Sequence, residues 1–185
     1  MLVLRTCKKD MTSHNGFQWP VFGYVECKDW EPTDECGHGL HGLPWGEGNG
    51  SLLNWDKDAC WLVVEVDETK DYRAGKGQLK QKCKFRCGNV VYCGDRLGAT
   101  SYILTHGGEK YTVVGGTKIV GDNQDVIVGY RGNATAGYDG ILQIKWYDGN
   151  RYRIAIGYVG ENGIKPNVKY CCEKGEFVEI EVETV

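Results

Sequence analysis

The chain has 185 residues, which suits one compact domain or a domain with a small appendage, and it is long enough to bury a core. Its net charge of −3 and pI near 5.8 argue against duplex nucleic-acid binding, which usually needs a basic face. Because the sequence has no long apolar run and no export signal, we expect neither a membrane span nor a secreted protein.

The cysteine and aromatic content further limits the class of protein to which the chain can belong. Nine cysteines, an odd number in a chain without an export signal, favour free thiols over a disulfide framework. The 27 glycines and 11 tyrosines indicate a turn-rich β protein. The aromatic content is too high for a disordered chain.

Strands and two short helices are predicted for the first half of the chain. The predicted strands are residues 2–6, 61–66 and 89–93, with extended chain over 17–25. Ser51 is a possible N-cap before apolar residues at helical spacing, which predicts a helix over 51–59. Asp95 is expected to cap a second helix that ends at the glycine pair 107–108. Between the extended chain and the first helix, the glycine-rich stretch 36–50 reads as a loop.

Four tandem octads begin the second half. They are Val113–Val120, Gly121–Val128, Gly129–Ala136 and Gly137–Ile144, and the last three start with glycine. Eight residues supply one short strand and one turn, so two octads would make one turn of a narrow β-roll; a meander of hairpins is the alternative. Two hairpins follow, 142–147 with 151–156 around an Asp-Gly turn, and 168–171 with 177–182.

The octads carry few large side chains. Because small repeats bury little surface alone, we expect them to stack on other copies and to form a homo-oligomer, for example a trimer. The predicted organisation is a domain over residues 1–110 with the glycine-rich loop, then an oligomerising repeat and hairpin region over 111–185. The predicted class is α+β, mostly antiparallel.

Several motifs together resemble a known family. Cys36-Gly-His-Gly-Leu-His41, the strand "WLVVEV", the stretch "VVYCGDRLGAT" and the repeat "GYRGNATAG" are similar to an uncharacterised family encoded mostly by bacteriophages and prophages. The resemblance implies a phage accessory protein that acts in the host cytoplasm. The octads also resemble, more weakly, the β-roll of trimeric adhesin heads.

Metal and nucleotide-loop chemistry are weakly indicated. Cys27 and Cys36 are too far apart for a structural zinc pair, and the cysteines between 83 and 93 span a strand whose side chains alternate between faces. The glycines match neither a Walker loop nor a dinucleotide fingerprint. No metal and no cofactor are therefore expected.

Catalysis is the alternative to binding. Leu40-His41-Gly42 is similar to the histidine motif of ADP-ribosyltransferases, and Glu109 would be the acidic partner. A structural or protein-interaction module is the second alternative.

A binding role requires the fewest special residues, because glycine lets the backbone approach a ligand closely and indole rings stack on flat groups. The interpretation is a binding protein rather than an enzyme, which sequesters a small nucleotide-like host molecule as a counter-defence trap. The predicted ligand-binding residues are Trp19, His38, Gly39, His41, Gly42, Trp45, Trp55 and Arg96.

Overall fold

The computed structural model describes residues 1–181, which form two compact units. The first unit is Met1–Tyr111, and the second begins at Thr112. Most strands pair in antiparallel fashion, and the described residues contain one short α-helix and several single 3-10 turns. The prediction of a β-rich, mostly antiparallel protein is thus confirmed, whereas the predicted pair of helices is wrong.

The first unit is built on a seven-stranded sheet in the order β2-β7-β4-β1-β3-β6-β5. Its strands are β1 (Leu2–Cys7), β2 (Gly23–Glu26), β3 (Leu40–Pro44), β4 (Cys60–Glu65), β5 (Tyr72–Ala74), β6 (Cys83–Phe85) and β7 (Cys87–Gly94). The central strands β1 and β4 are almost continuously apolar, as expected of strands that are covered on both faces. The core cluster of this sheet includes the fully buried Val3, Leu62, Val64, Phe85 and Val90.

The α-helix α1 (Arg96–Ile103) forms where Asp95 predicts it, since the Asp95 carboxylate accepts a hydrogen bond from Gly98 N at 2.7 Å. It ends at Ile103 and a π-type turn, Leu104–Gly108, follows. The helix predicted over 51–59 is absent apart from a 3-10 turn at Gly50–Leu52.

Side chains of that segment compete with a helical backbone. Asn49 Oδ1 accepts from Ser51 N at 3.0 Å, and Asn54 Oδ1 accepts from Asp56 N at 2.9 Å. The Asn49 bond caps the 3-10 turn, whereas the Asn54 bond holds the main chain in a turn and uses the Asp56 amide, which a helix over 51–59 would need.

The glycine-rich stretch is only partly a loop, because its residues 40–44 form β3 between β1 and β6. Leu40 and Leu43 are buried. A Cβ on Gly42 would lie 2.3 Å from Val3 Cγ1 and 2.8 Å from the Leu4 carbonyl oxygen, so only glycine fits at this crossing.

The octads of the second unit form two parallel ladders. The strands are β8 (Thr117–Ile119), β9 (Asp125–Val128), β10 (Asn133–Thr135) and β11 (Ile141–Tyr147). β8 pairs with β10 and β9 with β11, both in parallel, and each partner lies 16 positions further along the chain: Thr117 opposite Asn133, and Asp125 opposite Ile141. Parallel neighbours at a constant offset are stacked turns of a solenoid, so two octads make one turn and a hairpin meander does not describe this region.

The turns between the strands keep the same offset. Gly137 N donates to the Gly121 carbonyl at 3.2 Å, and Tyr138 N donates to Asp122 Oδ1 at 2.8 Å. A Cβ on Gly137 would lie 2.1 Å from Asp122 Oδ1. The glycine that opens the fourth octad therefore lets one turn lie against the turn before it.

Even-numbered strand residues of the solenoid face its interior. The buried cluster is Val126, Val128, Ala134, Ala136, Leu142, Ile144, Val159, Ile164 and Tyr170. Odd-numbered residues of the same strands point outward. The octad sequences show the same alternation, with a period of two residues.

Strands from the C-terminal part of the chain pair in antiparallel fashion with β10 and β11. They are β12 (Tyr152–Tyr158), β13 (Tyr170–Glu173) and β14 (Glu176–Glu179). β11 and β12 form the predicted hairpin, β13 and β14 the second one, and the sheet orders are β12-β11-β9 and β14-β13-β10-β8. The second hairpin was predicted to reach residue 182, which lies outside the described residues.

Candidate functional site

A cleft in the first unit gathers five of the eight predicted site residues. Trp19, His38, Gly39, His41 and Gly42 all line it. Their ligand-binding role stays a prediction.

Arg5 and Trp19 form the inner wall of the cleft. The Arg5 guanidinium carbon lies 4.4 Å from the centre of the Trp19 ring, and Arg5 Nη1 donates to the His41 carbonyl at 2.5 Å. Burial lowers the pKa of Arg5 to about 10, so it remains protonated at neutral pH. The Trp19 indole nitrogen donates to Ser13 Oγ at 3.0 Å, which fixes the ring.

His41 is held neutral in this wall. Burial first, and then the charges of Lys82, Arg5 and Lys84, lower its pKa from 6.5 to about 4. Its Nε2 atom and the Nε atom of Arg5 are both buried, and neither has a hydrogen-bond partner among residues 1–181. Two unsatisfied buried nitrogens are unusual in a native fold, and both belong to side chains that line this cleft.

Two lysines beside the cleft were missed by sequence reasoning. Lys82 lines the cleft and its ammonium contacts Cys36 Sγ. Lys84 is fully buried: its Nζ donates to Thr33 Oγ1 at 3.1 Å and to the Glu35 carbonyl at 3.0 Å. A lysine in a strand is normally solvated, so the sequence offers no signal for such burial.

His38 has a different environment from His41. Its Nδ1 atom lies 3.7 Å from a carboxylate oxygen of Asp29 and 3.7 Å from one of Glu31, and all three side chains are more than half exposed. Ion pairs this exposed contribute little to stability.

The other predicted residues do not line the cleft. Trp45 stacks on Tyr111 with ring centres 5.3 Å apart. Trp55 packs edge-on against Trp61, and its indole nitrogen donates to the Gly50 carbonyl at 2.8 Å. Arg96 is the first residue of α1. The structure therefore does not bring these three residues together with His41.

The described residues hold neither a cluster of metal ligands nor a membrane-spanning helix. No group of three or more histidine, cysteine or acidic side chains is placed to hold a metal ion within residues 1–181. The nine cysteines are free thiols, and the pKa values of Cys7 and Cys83 are raised to about 12 by burial. Across the same residues, no helix has the length and apolar character to cross a membrane.

A second candidate surface is the outer face of the β8 and β10 ladder. Thr117 stacks on Asn133, whose Nδ2 lies 3.5 Å from Thr117 Oγ1, and Ile119 stacks on Thr135. These four side chains carry no formal charge; Ile119 is exposed, Thr117 and Asn133 are half-buried, and Thr135 is buried. The surface is therefore a small array of uncharged side chains in two rows.

Sequence comparisons place the chain among known proteins. The family described as "Domain of unknown function (DUF7666)" matches residues 1–105, which is more than half of the chain. The chain belongs to this family. No solved structure matches it.

Curated relatives share about half of the chain. An ice nucleation protein of Pseudomonas fluorescens is 42% identical over 108 residues, 56% of this chain and 8% of the relative. The ice nucleation protein InaU of Pantoea ananas is 39% identical over 106 residues, 57% of this chain and 10% of InaU. An ice nucleation protein of Xanthomonas campestris pv. translucens is 42% identical over 108 residues, 57% of this chain and 7% of the relative. The match thus spans a tenth or less of each relative.

These findings overturn the functional part of the sequence interpretation. The resemblance to a phage-encoded family is wrong, because the relatives are ice nucleation proteins of bacteria. The predicted trap for a nucleotide-like host molecule is wrong on the same ground, and so are its counter-defence role and its place in a host cytoplasm. The resemblance had rested on the glycine-histidine stretch together with "WLVVEV", "VVYCGDRLGAT" and the repeat "GYRGNATAG".

Proposed function

We propose that the chain is an ice-nucleation-like module without catalytic activity, in which the outer face of the β8 and β10 ladder orders water. The observation that carries the proposal is the constant offset of 16 residues between parallel strands. The named activity of the bacterial relatives supports it.

Regular spacing is the physical link between a solenoid and ice. Ice is a lattice, so a protein surface that orders water into it must present similar groups at a repeated distance. Stacked parallel strands lie about 4.7–4.9 Å apart and repeat that distance with every turn. Within residues 1–181, the octads are the part of the chain that provides such a repeat.

The β8 and β10 face suits this role better than the opposite ladder. Its residues that reach the surface are Thr117, Ile119 and Asn133, while Thr135 of the same face is buried. The outward residues of β9 and β11 include Asp125 and Lys145. Charged groups bind their own hydration shells strongly, so they compete with a lattice, whereas methyl, hydroxyl and amide groups do not impose such shells.

Array size decides how strong the activity is. The ladders contain two stacked strands each, and the aligned segment covers only 7–10% of the relatives' lengths. We therefore expect the chain alone to raise the freezing temperature of supercooled water weakly and longer arrays to raise it more.

A droplet-freezing experiment tests the proposal. Copies of residues 121–136 are inserted after Ala136, one turn per copy, in the full-length chain. The control series has the same insertions, but Asn133 of each copy is replaced by lysine, which keeps the length and charges the face at a position that is not buried. The freezing temperature should rise with turn number in the first series and stay near the wild-type value in the control series.

Two outcomes contradict the proposal. One is that both series freeze at the same temperatures, which would show that the face is irrelevant. The other is that no member of the first series freezes above buffer although circular dichroism shows added β structure.

A further inference from the structure

The β12 strand is an edge with an apolar outer face. Among residues 1–181, β11 is the one strand that pairs with it. Ile154, Ile156 and Tyr158 are 46%, 56% and 50% exposed, although each is a large apolar or aromatic residue. Edge strands usually carry prolines, bulges or several charges that block association, and β12 has one charge in seven residues.

The main-chain groups of this edge are arranged to accept another strand. Asp148 N bonds to the Arg151 carbonyl and Val159 N to the Gly140 carbonyl, so odd-numbered residues of β12 bond toward β11. Hydrogen-bonded pairs alternate along an antiparallel ladder, and the amides and carbonyls of Ile154 and Ile156 therefore point away from β11.

The β12 sequence is nearly a palindrome. It reads Tyr152-Arg-Ile-Ala-Ile-Gly-Tyr158, with Ala155 at its centre. If two copies pair in antiparallel fashion about Ala155, Ile154 of one lies opposite Ile156 of the other and Tyr152 opposite Tyr158. Two-fold interfaces are self-complementary in this way, because residue i meets residue j and j meets i.

The charges and the register agree with the same pairing. The single charge, Arg153, would face Gly157 of the other copy, so two like charges do not meet. Arg153 also pairs with Asp148 in its own hairpin. In this register the Ile154–Ile156 pairs exchange hydrogen bonds through the groups that point outward.

We propose that two copies of the chain form a two-fold dimer by antiparallel pairing of their β12 strands about Ala155. The partner is a second copy rather than a different protein, because the strand is complementary to itself in side-chain type, in charge and in hydrogen-bond register. The pair would join the β9-β11-β12 sheets of the two copies into one continuous sheet. The proposal does not depend on the ice-ordering role. The expected homo-oligomer would then have two-fold rather than three-fold symmetry.

The test is the solution mass of the full-length chain by analytical ultracentrifugation across a concentration series with reductant. Wild type should sediment as a dimer, at twice the 20.7 kDa of one chain. The variant Ile154→Lys/Ile156→Lys should be monomeric, with a dissociation constant raised on the order of 100-fold or more, because four ammonium groups would meet. Ile119→Lys is the matched control: Ile119 is 72% exposed on the β8 edge, and the dimer should survive its substitution.

A charge-swap mixture separates the pairing from a folding defect. Ile154→Glu/Ile156→Glu should also be monomeric alone, and it should form a 1:1 dimer when mixed with the lysine variant, since each lysine then faces a glutamate. A monomeric wild type would overturn the proposal. So would a mixture that stays monomeric, or a wild-type dimer that Ile119→Lys disrupts as strongly as the double lysine variant.

Discussion

Lowering the pH should destabilise the first unit through His41. In the folded chain, burial and the charges of Lys82, Arg5 and Lys84 lower the pKa of His41 from 6.5 to about 4. Because the folded value lies below the unfolded one, the unfolded state binds the proton more readily. The stabilisation is complete above pH 6.5 and is lost as the pH falls toward 4.

The size of this effect follows from the two pKa values. A fall from 6.5 to about 4 corresponds to at most ~3.4 kcal/mol. Since the ring is only partly buried, solvent screening reduces the expected contribution to about 2 kcal/mol.

Unfolding in urea, monitored by tryptophan fluorescence, measures this loss of stability in the first unit. Five of the six tryptophans lie in that unit: Trp19, Trp30, Trp45, Trp55 and Trp61. His41→Gln is the control, since glutamine does not titrate. The free energy of unfolding is compared between about pH 7.5 and about pH 4.5 for both proteins. Wild type should lose about 2 kcal/mol more than the variant. Equal losses would refute the placement of a neutral, buried His41.

Substitutions at three further positions test the packing and the helix cap, each by the free energy of unfolding in urea. Gly42→Ala should cost about 2 kcal/mol or more, because the added methyl group would overlap Val3 Cγ1, and an unchanged midpoint would refute the tight β1–β3 crossing. Ile144→Ala should cost about 2–5 kcal/mol in the second unit, since Ile144 is fully buried in the solenoid. Asp95→Ala should cost about 1 kcal/mol by removing the cap on Gly98 N, and Asp95→Asn should restore most of it.

The repeat and its hairpin were visible in the sequence because they are local. Glycine at the start of successive octads gave the period of eight, and Asp148-Gly149 marked the turn between β11 and β12. Both features depend on contacts whose spacing is fixed along the chain. A parallel ladder with an offset of 16 is two such periods.

Two features that sequence reasoning missed, the strand β3 and the buried Lys84, depend on distant contacts. β3 runs through a glycine-rich stretch because Gly42 meets Val3 on a strand almost forty positions earlier, which no local pattern reveals. Lys84 is buried because Thr33 and Glu35 supply oxygens to its ammonium group. The predicted helix over 51–59 failed for a local reason: the Asn54 side chain bonds to the Asp56 amide, which a helix would need.

The central claim is that two octads make one turn of a solenoid, and a matched pair of insertions tests it by hydrogen exchange. Duplicating residues 121–136 adds a whole turn, so the chain should stay folded and the amides of both added strands should exchange slowly. Duplicating residues 129–136 adds half a turn and sends β11 to the wrong ladder, so protection should be lost from β9 to β12. Equal protection in the two proteins would contradict the account.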